Sequence, residues 1–209
     1  CRGTANQQQQ QRHRISHLAH LSRDMPKRRK APTNLNNAVA DTSAKRKPHS
    51  KSGVRVLFRP EHILGHLKRK IMGAHYVVGC VAWCSNPDLL DALRRSKGVS
   101  LVINYDRTLI RKHREQYTRL TPMPGAKTAV YYVRGGGRAL MHHKFMVYLD
   151  EDKRPVSVTT GSWNWTKQSM KNLEHIVSIN DPETAARFMQ EHLDVLPVAK
   201  PLTKRIKSK

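Results

Sequence analysis

The apolar positions fall into short, regularly separated runs from residue 54 onward, and their spacing changes from run to run. Val54-Arg55-Val56-Leu57-Phe58 alternates and predicts a first strand, because successive strand side chains point to opposite faces. Pro60 opens a predicted helix to about Met72, with Ile63, Leu64, Leu67 and Ile71 at helical spacing and Gly73 beyond its end. Tyr76 to Trp83 is almost continuously apolar, as expected of a strand covered on both faces. Asn86 supplies a cap for a helix that starts at Pro87, runs through Leu89, Leu90, Ala92 and Leu93, and ends near Lys97-Gly98. Val99 to Tyr105 is another apolar strand. Strand, helix, strand, helix, strand with short links predicts parallel βαβ units and an α/β class.

The second half is richer in strands. Arg107 to Leu120 reads as a basic helix, Thr121 to Gly125 as a loop, and Thr128 to Val133 as a strand that ends at Arg134-Gly135-Gly136-Gly137-Arg138. Leu140 opens the next strand, in which Phe145 to Leu149 is β-rich and too short for a helix; Val156 to Thr160 and Ile176 to Ile179 come after it. Pro182 begins a closing helix with Ala185, Phe188, Met189 and Leu193 as its apolar residues. The domain so read covers residues 53 to 196, and a basic tail is expected from 197 to 209.

Residues 1 to 52 are a different material. They hold 12 Lys or Arg against Asp24 and Asp41, a glutamine run, and no apolar period, which predicts a basic, intrinsically disordered extension that nucleic acid would order. The whole chain carries a formal +24, and residues 53 to 209 keep 27 basic against 13 acidic residues. An excess on both parts points to a polyanionic partner, because phosphate neutralisation releases counterions and offsets self-repulsion. The chain opens on Cys1 in place of Met, so removal of an upstream stretch is expected. Residues 1 to 23 are acid-free and rich in Arg, His and Gln up to Arg23, like an organellar presequence or the stretch just after one, so a mitochondrial location is expected; the cluster Lys27-Arg28-Arg29-Lys30 keeps a nuclear alternative. No run reaches the roughly 18 apolar residues of a spanning helix. Three cysteines are too few for a disulfide framework, and Cys80, Cys84 and His75 have no recognised zinc spacing.

Candidate chemistry gathers between Met141 and Glu174. In a strand, i and i+2 share a face, so His142 and Lys144 point the same way; Ser162 and Asn164 repeat that spacing after the neighbouring β-rich run. Imidazole, ammonium, hydroxyl and amide are thereby directed to one small volume, a set suited to holding and attacking a phosphate. His143 falls on the opposite face and reads as structural. Trp163 and Trp165 read as core or partner-facing residues, and Tyr131 and Tyr132 as strand residues. The basic helix from Arg107 reads either as a solvated face or as a surface lying along a phosphate backbone, and the glycines between Arg134 and Arg138 as a flexible loop or an approach to phosphate.

These residues resemble the motif of the phospholipase D superfamily, His-x-Lys followed by an aspartate and then Gly-Ser-x-Asn: His142, Lys144, Gly161, Ser162 and Asn164 match. The context looks most like the small single-motif nucleases of that superfamily, its mitochondrial member included. Asp150 stands one residue later than the motif asks, and the span to Gly161 is longer than usual. The resemblance implies a mixed sheet flanked by helices. It also implies a phosphodiesterase that needs no metal and no cofactor, with His142 as nucleophile, Lys144 and Asn164 holding phosphoryl oxygens, Ser162 supporting them and Glu174 orienting His142. His49-Ser50-Lys51 and His66-Leu67-Lys68 lack the Gly-Ser-x-Asn partner, so the chain supplies half a site and an active form would be a homodimer. A second reading is a structural RNA-binding subunit of a ribonucleoprotein such as a mitochondrial ribosome, with protein and RNA neighbours and an unused site. A third is a lipid phosphodiesterase.

Overall fold

A computed structural model describes residues 53–135 and 140–203. The expected extension over residues 1 to 52, most of the glycine loop after Arg134, and the last six residues of the basic tail lie outside them.

The elements run β1 (Val54–Leu57), α1 (Pro60–Met72), β2 (Tyr76–Val81), α2 (Pro87–Arg94), β3 (Gly98–Asn104), α3 (Arg107–Thr118), β4 (Val130–Val133), β5 (Lys144–Leu149), β6 (Pro155–Gly161), β7 (Ile176–Ile179), α4 (Pro182–Val195) and β8 (Lys200–Pro201). They form one eight-stranded mixed sheet in the order β1-β7-β6-β5-β2-β3-β4-β8. β2, β3 and β4 are parallel, as the βαβ reading requires, and β2 also pairs antiparallel with β5.

β1 departs from the expected order. It precedes β2 in sequence but sits at the far edge, antiparallel to β7, with Leu57 opposite Ile176. Local spacing sets a strand's existence; its neighbour is chosen by long-range pairing, for which β1's own four residues carry no signal. The tail boundary also moves. Residues 197 to 203 belong to the fold: β8 pairs with β4, and Leu202 is buried with its N–H donating to the carbonyl of Val130.

Helices α1, α2 and α3 cover one face. Ile63, Leu67, Leu89, Leu93 and Ile110 pack there on Val77, Val81, Leu101, Ile103 and Met146. α4 covers the other, setting Ala185, Phe188 and Met189 against Cys80, Val102, Phe145, Val147 and Val158. Burial of each large side chain contributes about 1.5–3 kcal/mol, so truncating Leu67 or Leu89 to Ala should cost about 2–5 kcal/mol. Asn86 caps α2 through Oδ1, which accepts from the N–H of Asp88 at 3.0 Å, and Asp106 and Asp181 cap α3 and α4 in the same way.

The topology makes one end of the sheet special. The C-terminal ends of β1, β2, β3, β4 and β6 and the N-terminal ends of β5 and β7 meet there. Every predicted site residue lies at this rim. Gly79 holds β2 and β5 close at its centre: a Cβ there would stand 2.3 Å from the carbonyl oxygen of Phe145.

Candidate active site

Lys144 is the first residue of β5, opposite Val81 at the end of β2. His142 precedes the strand, so the two do not share a regular strand face as the spacing predicts. They meet another way. The Lys144 ammonium donates to the His142 carbonyl oxygen at 2.7 Å, and both side chains gather on Trp83, with the imidazole edge-on at 5.4 Å and the ammonium 6.0 Å from the ring centroid. Trp83 ends the apolar run of β2, and its indole is the floor of the pair. In sequence it reads as the end of a covered strand; a tryptophan closing an apolar run is the available signal. Burial lowers the Lys144 pKa from the usual lysine value, and the nearby Glu174 carboxylate opposes that shift.

The Gly-Ser segment closes β6, across the rim. Gly161 is required by close approach, since a Cβ would stand 2.3 Å from the His175 carbonyl oxygen and 2.8 Å from Ile176 Cα. Ser162 joins this segment to the start of β7: its N–H donates to the His175 carbonyl, and its hydroxyl accepts the His175 N–H at 3.2 Å. Trp163 and Trp165 are buried in the core, as expected, and anchor the residue between them. The Trp165 N–H donates to the Trp83 carbonyl at 2.9 Å, and the Trp165 carbonyl accepts from the N–H groups of Ser85 and Asn86. Asn164 is thus held between two fixed points, on a segment whose next residue bonds the Trp83 backbone. Its Oδ1 is buried and has no hydrogen-bond partner, a state it shares among the described residues with His66 Nε2, Ser96 Oγ and Arg114 Nη2 and one that is costly for a buried amide.

Glu174 lies just before β7, and its Oε1 accepts the Asn172 side-chain amide at 2.7 Å. The structure therefore engages this carboxylate with Asn172 and electrostatically with Lys144, whereas the His142 ring contacts Trp83. Asn172 is a further member of the site that spacing did not assign. His143 lies on the opposite face, as expected, paired with Glu191 of α4 at 3.0 Å. Asp150 is at the other end of β5, where Oδ1 accepts the N–H groups of Asp152 and Arg154 and Oδ2 accepts Arg154 Nε at 3.0 Å. Its late position serves the β5–β6 turn and leaves the rim untouched. Among the described residues, no cluster of three or more His, Cys, Asp or Glu is arranged to hold a metal.

His142, Lys144, Asn164 and Glu174 stand at one rim and supply one imidazole, one partly desolvated ammonium, one buried amide oxygen without a partner and one carboxylate. Such a set can stabilise a phosphoryl group and attack it. A family model described as "Cardiolipin synthase, PLD-like domain" matches residues 64–194. An uncharacterized protein of Acanthamoeba polyphaga mimivirus is 26% identical across 65% of this chain, which spans only 62% of that relative's length. Among solved structures, NucT from Helicobacter pylori is similar at a TM-score of 0.56 and 18% identity, covering 71% of this chain and 98% of that one. Nuc from Salmonella typhimurium, a phospholipase D family member, is similar at a TM-score of 0.51 and 24% identity, covering 71% and 96%. Phosphatidylserine synthase of Haemophilus influenzae Rd KW20 gives a TM-score of 0.56 at 13% identity, covering 74% of this chain and 40% of that one. The structural likenesses carry the fold and the family match carries the lineage: this chain belongs to the phospholipase D superfamily.

Proposed function

We propose that the protein is a phosphodiesterase acting on nucleic acid without a metal, through a phosphohistidine at His142, with two copies completing one site. The observation that carries this reading is the buried Asn164 Oδ1, which lacks a hydrogen-bond partner and lies on the Gly-Ser segment at the same rim where Lys144 opens β5. The two amide heads of an asparagine exchange places by a half-turn of the side chain, so this position can present an N–H that awaits an acceptor. A non-bridging phosphoryl oxygen is such an acceptor, and Lys144 supplies positive charge for the same group.

The reaction then runs in two balanced steps. The neutral His142 imidazole attacks phosphorus, forming a P–N bond as the P–O bond to the leaving group breaks, and the leaving oxygen takes a proton from the imidazolium of a second His142. That second imidazole next takes a proton from water; the hydroxide attacks phosphorus, the P–N bond breaks, and His142 is regenerated. The Glu174 carboxylate opposes the burial that lowers the Lys144 pKa. One chain offers a single His142 in this setting, which is why a second copy is required. Three exposed apolar side chains at the same rim support a partner there: Phe58 beside His175, Leu140 just before the motif, and Leu173 next to Glu174. The net positive charge of the domain and of its extension favours nucleic acid over other phosphodiesters.

The same charge favours one alternative, an RNA-binding subunit of a ribonucleoprotein such as a mitochondrial ribosome, in which the site is retained without turnover. A lipid phosphodiesterase is disfavoured by that charge; among the described residues no helix is long and apolar enough to cross a membrane. A mitochondrial address belongs to the same proposal, resting on the acid-free composition of residues 1 to 23.

The test gives the purified chain single-stranded RNA, single-stranded DNA, duplex DNA and cardiolipin vesicles in excess chelator, beside His142→Ala. Cleavage of nucleic acid that the substitution lowers at least about a thousandfold, by a dimer, is the expected result. Activity that requires added metal, or that survives in His142→Ala, overturns the mechanism. A single copy that binds RNA tightly without cutting it supports the ribonucleoprotein reading.

A further inference from the structure

The surface cations of this domain are not all alike. Arg94 and Arg95 share Asp91, Arg119 pairs with Glu115, Arg154 with Asp150 and Asp152, and Arg187 with Glu183. Arg107, Arg111 and Lys112 are exposed, line one shallow depression together with Thr108, and have no ion-pair partner among the described residues. Asp106, next to Arg107, is engaged as the α3 cap, accepting the Leu109 N–H at 2.9 Å, and Glu115, the acid nearest in sequence to Arg111 and Lys112, is paired with Arg119. Among the described residues no ion pair is made to these three charges, and they stand in the first half of a helix, where the peptide dipoles disfavour cations.

They also stand beside an unusual pair of rings. Tyr105, between β3 and α3, is half-buried; the Arg134 guanidinium lies 4.8 Å from its centroid and the Tyr132 ring 5.3 Å away. Both lie along the same rim as His142. The Ala82 N–H donates to the His143 carbonyl at 2.8 Å, the Asn104 N–H to the Ala82 carbonyl at 3.1 Å, and the Tyr105 N–H to the Val133 carbonyl at 2.8 Å. These bonds carry the rim without a break from β5 across β2 and β3 to β4. With neighbouring strands about 4.8 Å apart, Tyr105 lies roughly 10 Å along the rim from the His142 strand.

We infer that this stretch of rim, Tyr105 with Arg134 and then Arg107, Arg111 and Lys112, is the track on which an unpaired nucleic-acid strand lies as it leaves the site. The inference rests on the nucleic-acid reading above and adds strandedness and direction to it. A ring bracketed by a guanidinium offers a stacking surface that any base can use once it is unpaired, whereas duplex bases are stacked on each other and out of reach. The three unpaired cations then meet the phosphates of the next nucleotides.

Binding is the readout, by fluorescence anisotropy on the full chain with a labelled single-stranded RNA and a duplex of equal length, across a salt series. The triple variant Arg107→Gln, Arg111→Gln, Lys112→Gln should bind the single strand at least tenfold more weakly, with a salt slope lower by about 2, as expected from ~0.7 per lost phosphate contact. Tyr105→Leu should cost about tenfold on the single strand and leave the duplex unchanged. Thermal melts of both variants check that the fold is retained, and an unfolded Tyr105→Leu leaves the triple variant to decide. Single-strand affinity equal to wild type in a folded triple variant overturns the track, as does equal loss on duplex and single strand in a folded Tyr105→Leu. Weakened binding to cardiolipin vesicles with oligonucleotide binding intact also overturns it and assigns the patch to an anionic lipid surface. Wild-type hydrolysis of bis(p-nitrophenyl) phosphate, measured separately, reports on the site itself, so a failed track and a failed phosphodiesterase give different results.

Discussion

The two ends of β5, six residues apart in sequence, are built on opposite principles. At the Asp150 end the polar groups of the β5–β6 turn are tied to one another, although Ser96 Oγ is buried there without a partner. Asp150 accepts two backbone N–H groups and the Arg154 guanidinium, Lys70 donates to Ser157 at 2.6 Å and to Asn180 at 3.0 Å, and Tyr148 shares a buried hydrogen bond with Thr159. At the Lys144 end an amide oxygen is buried without a partner, an ammonium is partly stripped of water, and apolar side chains stand in solvent. The first end is finished by folding. The second is left incomplete in the way expected of a surface completed by a ligand and a partner, since unpaired buried groups cost stability and persist where they serve binding.

Substitutions should therefore separate the two ends. Asn164→Ala removes an unpaired group from the fold and an oxyanion donor from the reaction, so hydrolysis should fall about 10²–10³-fold while the melting temperature holds or rises. A stability loss with activity retained would place Asn164 in the scaffold instead.

A second contrast is set by pH. His66 and His192 are buried, and burial lowers each pKa to about 4; Arg55, Lys70 and Arg69 add to the shift at His66. His192 is bonded to Ser100 at 2.9 Å, whereas His66 Nε2 has no partner. With folded values below the unfolded value near 6.5, the unfolded chain binds more protons in this range. Stability should be complete above about pH 6.5 and fall as pH drops toward 4, by up to about 3 kcal/mol for each histidine. Urea melts at pH 7, 5.5 and 4.5 check this, and His66→Leu should flatten the dependence. A stability that stays level across that window would show both rings protonated at no cost.

The smallest effect belongs to Asp150. Its carboxyl is held below the ordinary carboxylate range chiefly by the Arg154 backbone N–H, so its contribution is present above about pH 4 and lost below it. Asp150→Ala should lower the melting temperature slightly at pH 7, with the difference vanishing in acid, and leave hydrolysis unchanged. Loss of activity with an intact fold would mean that the displaced aspartate matters to the site after all.

The contrast also explains how much the sequence disclosed. Helix starts were legible because Pro60, Asn86-Pro87 and Asp181-Pro182 are local signals, and the parallel units were legible from strand and helix alternation. The place of β1 was not, because pairing with β7 joins residues more than a hundred positions apart. At the rim, His142, Lys144, Ser162, Asn164 and Glu174 were singled out by spacing and by resemblance, but the contacts they make were not. Trp83 reaches the pair through the β2–β5 register, and Asn172, two residues from Glu174, donates to that carboxylate. Such contacts arise from strand order, which no short window of sequence contains.

The central claim is that the unfinished end of the sheet is a phosphodiesterase site with His142 as nucleophile. Its most direct test quenches a single turnover on oligonucleotide in alkali, where phosphohistidine survives, and maps the adduct by peptide mass spectrometry. The account expects a phosphoryl-linked nucleotide on the peptide carrying His142, formed in chelator and absent from His142→Ala. Turnover with no adduct there, or an adduct on another residue, would contradict it.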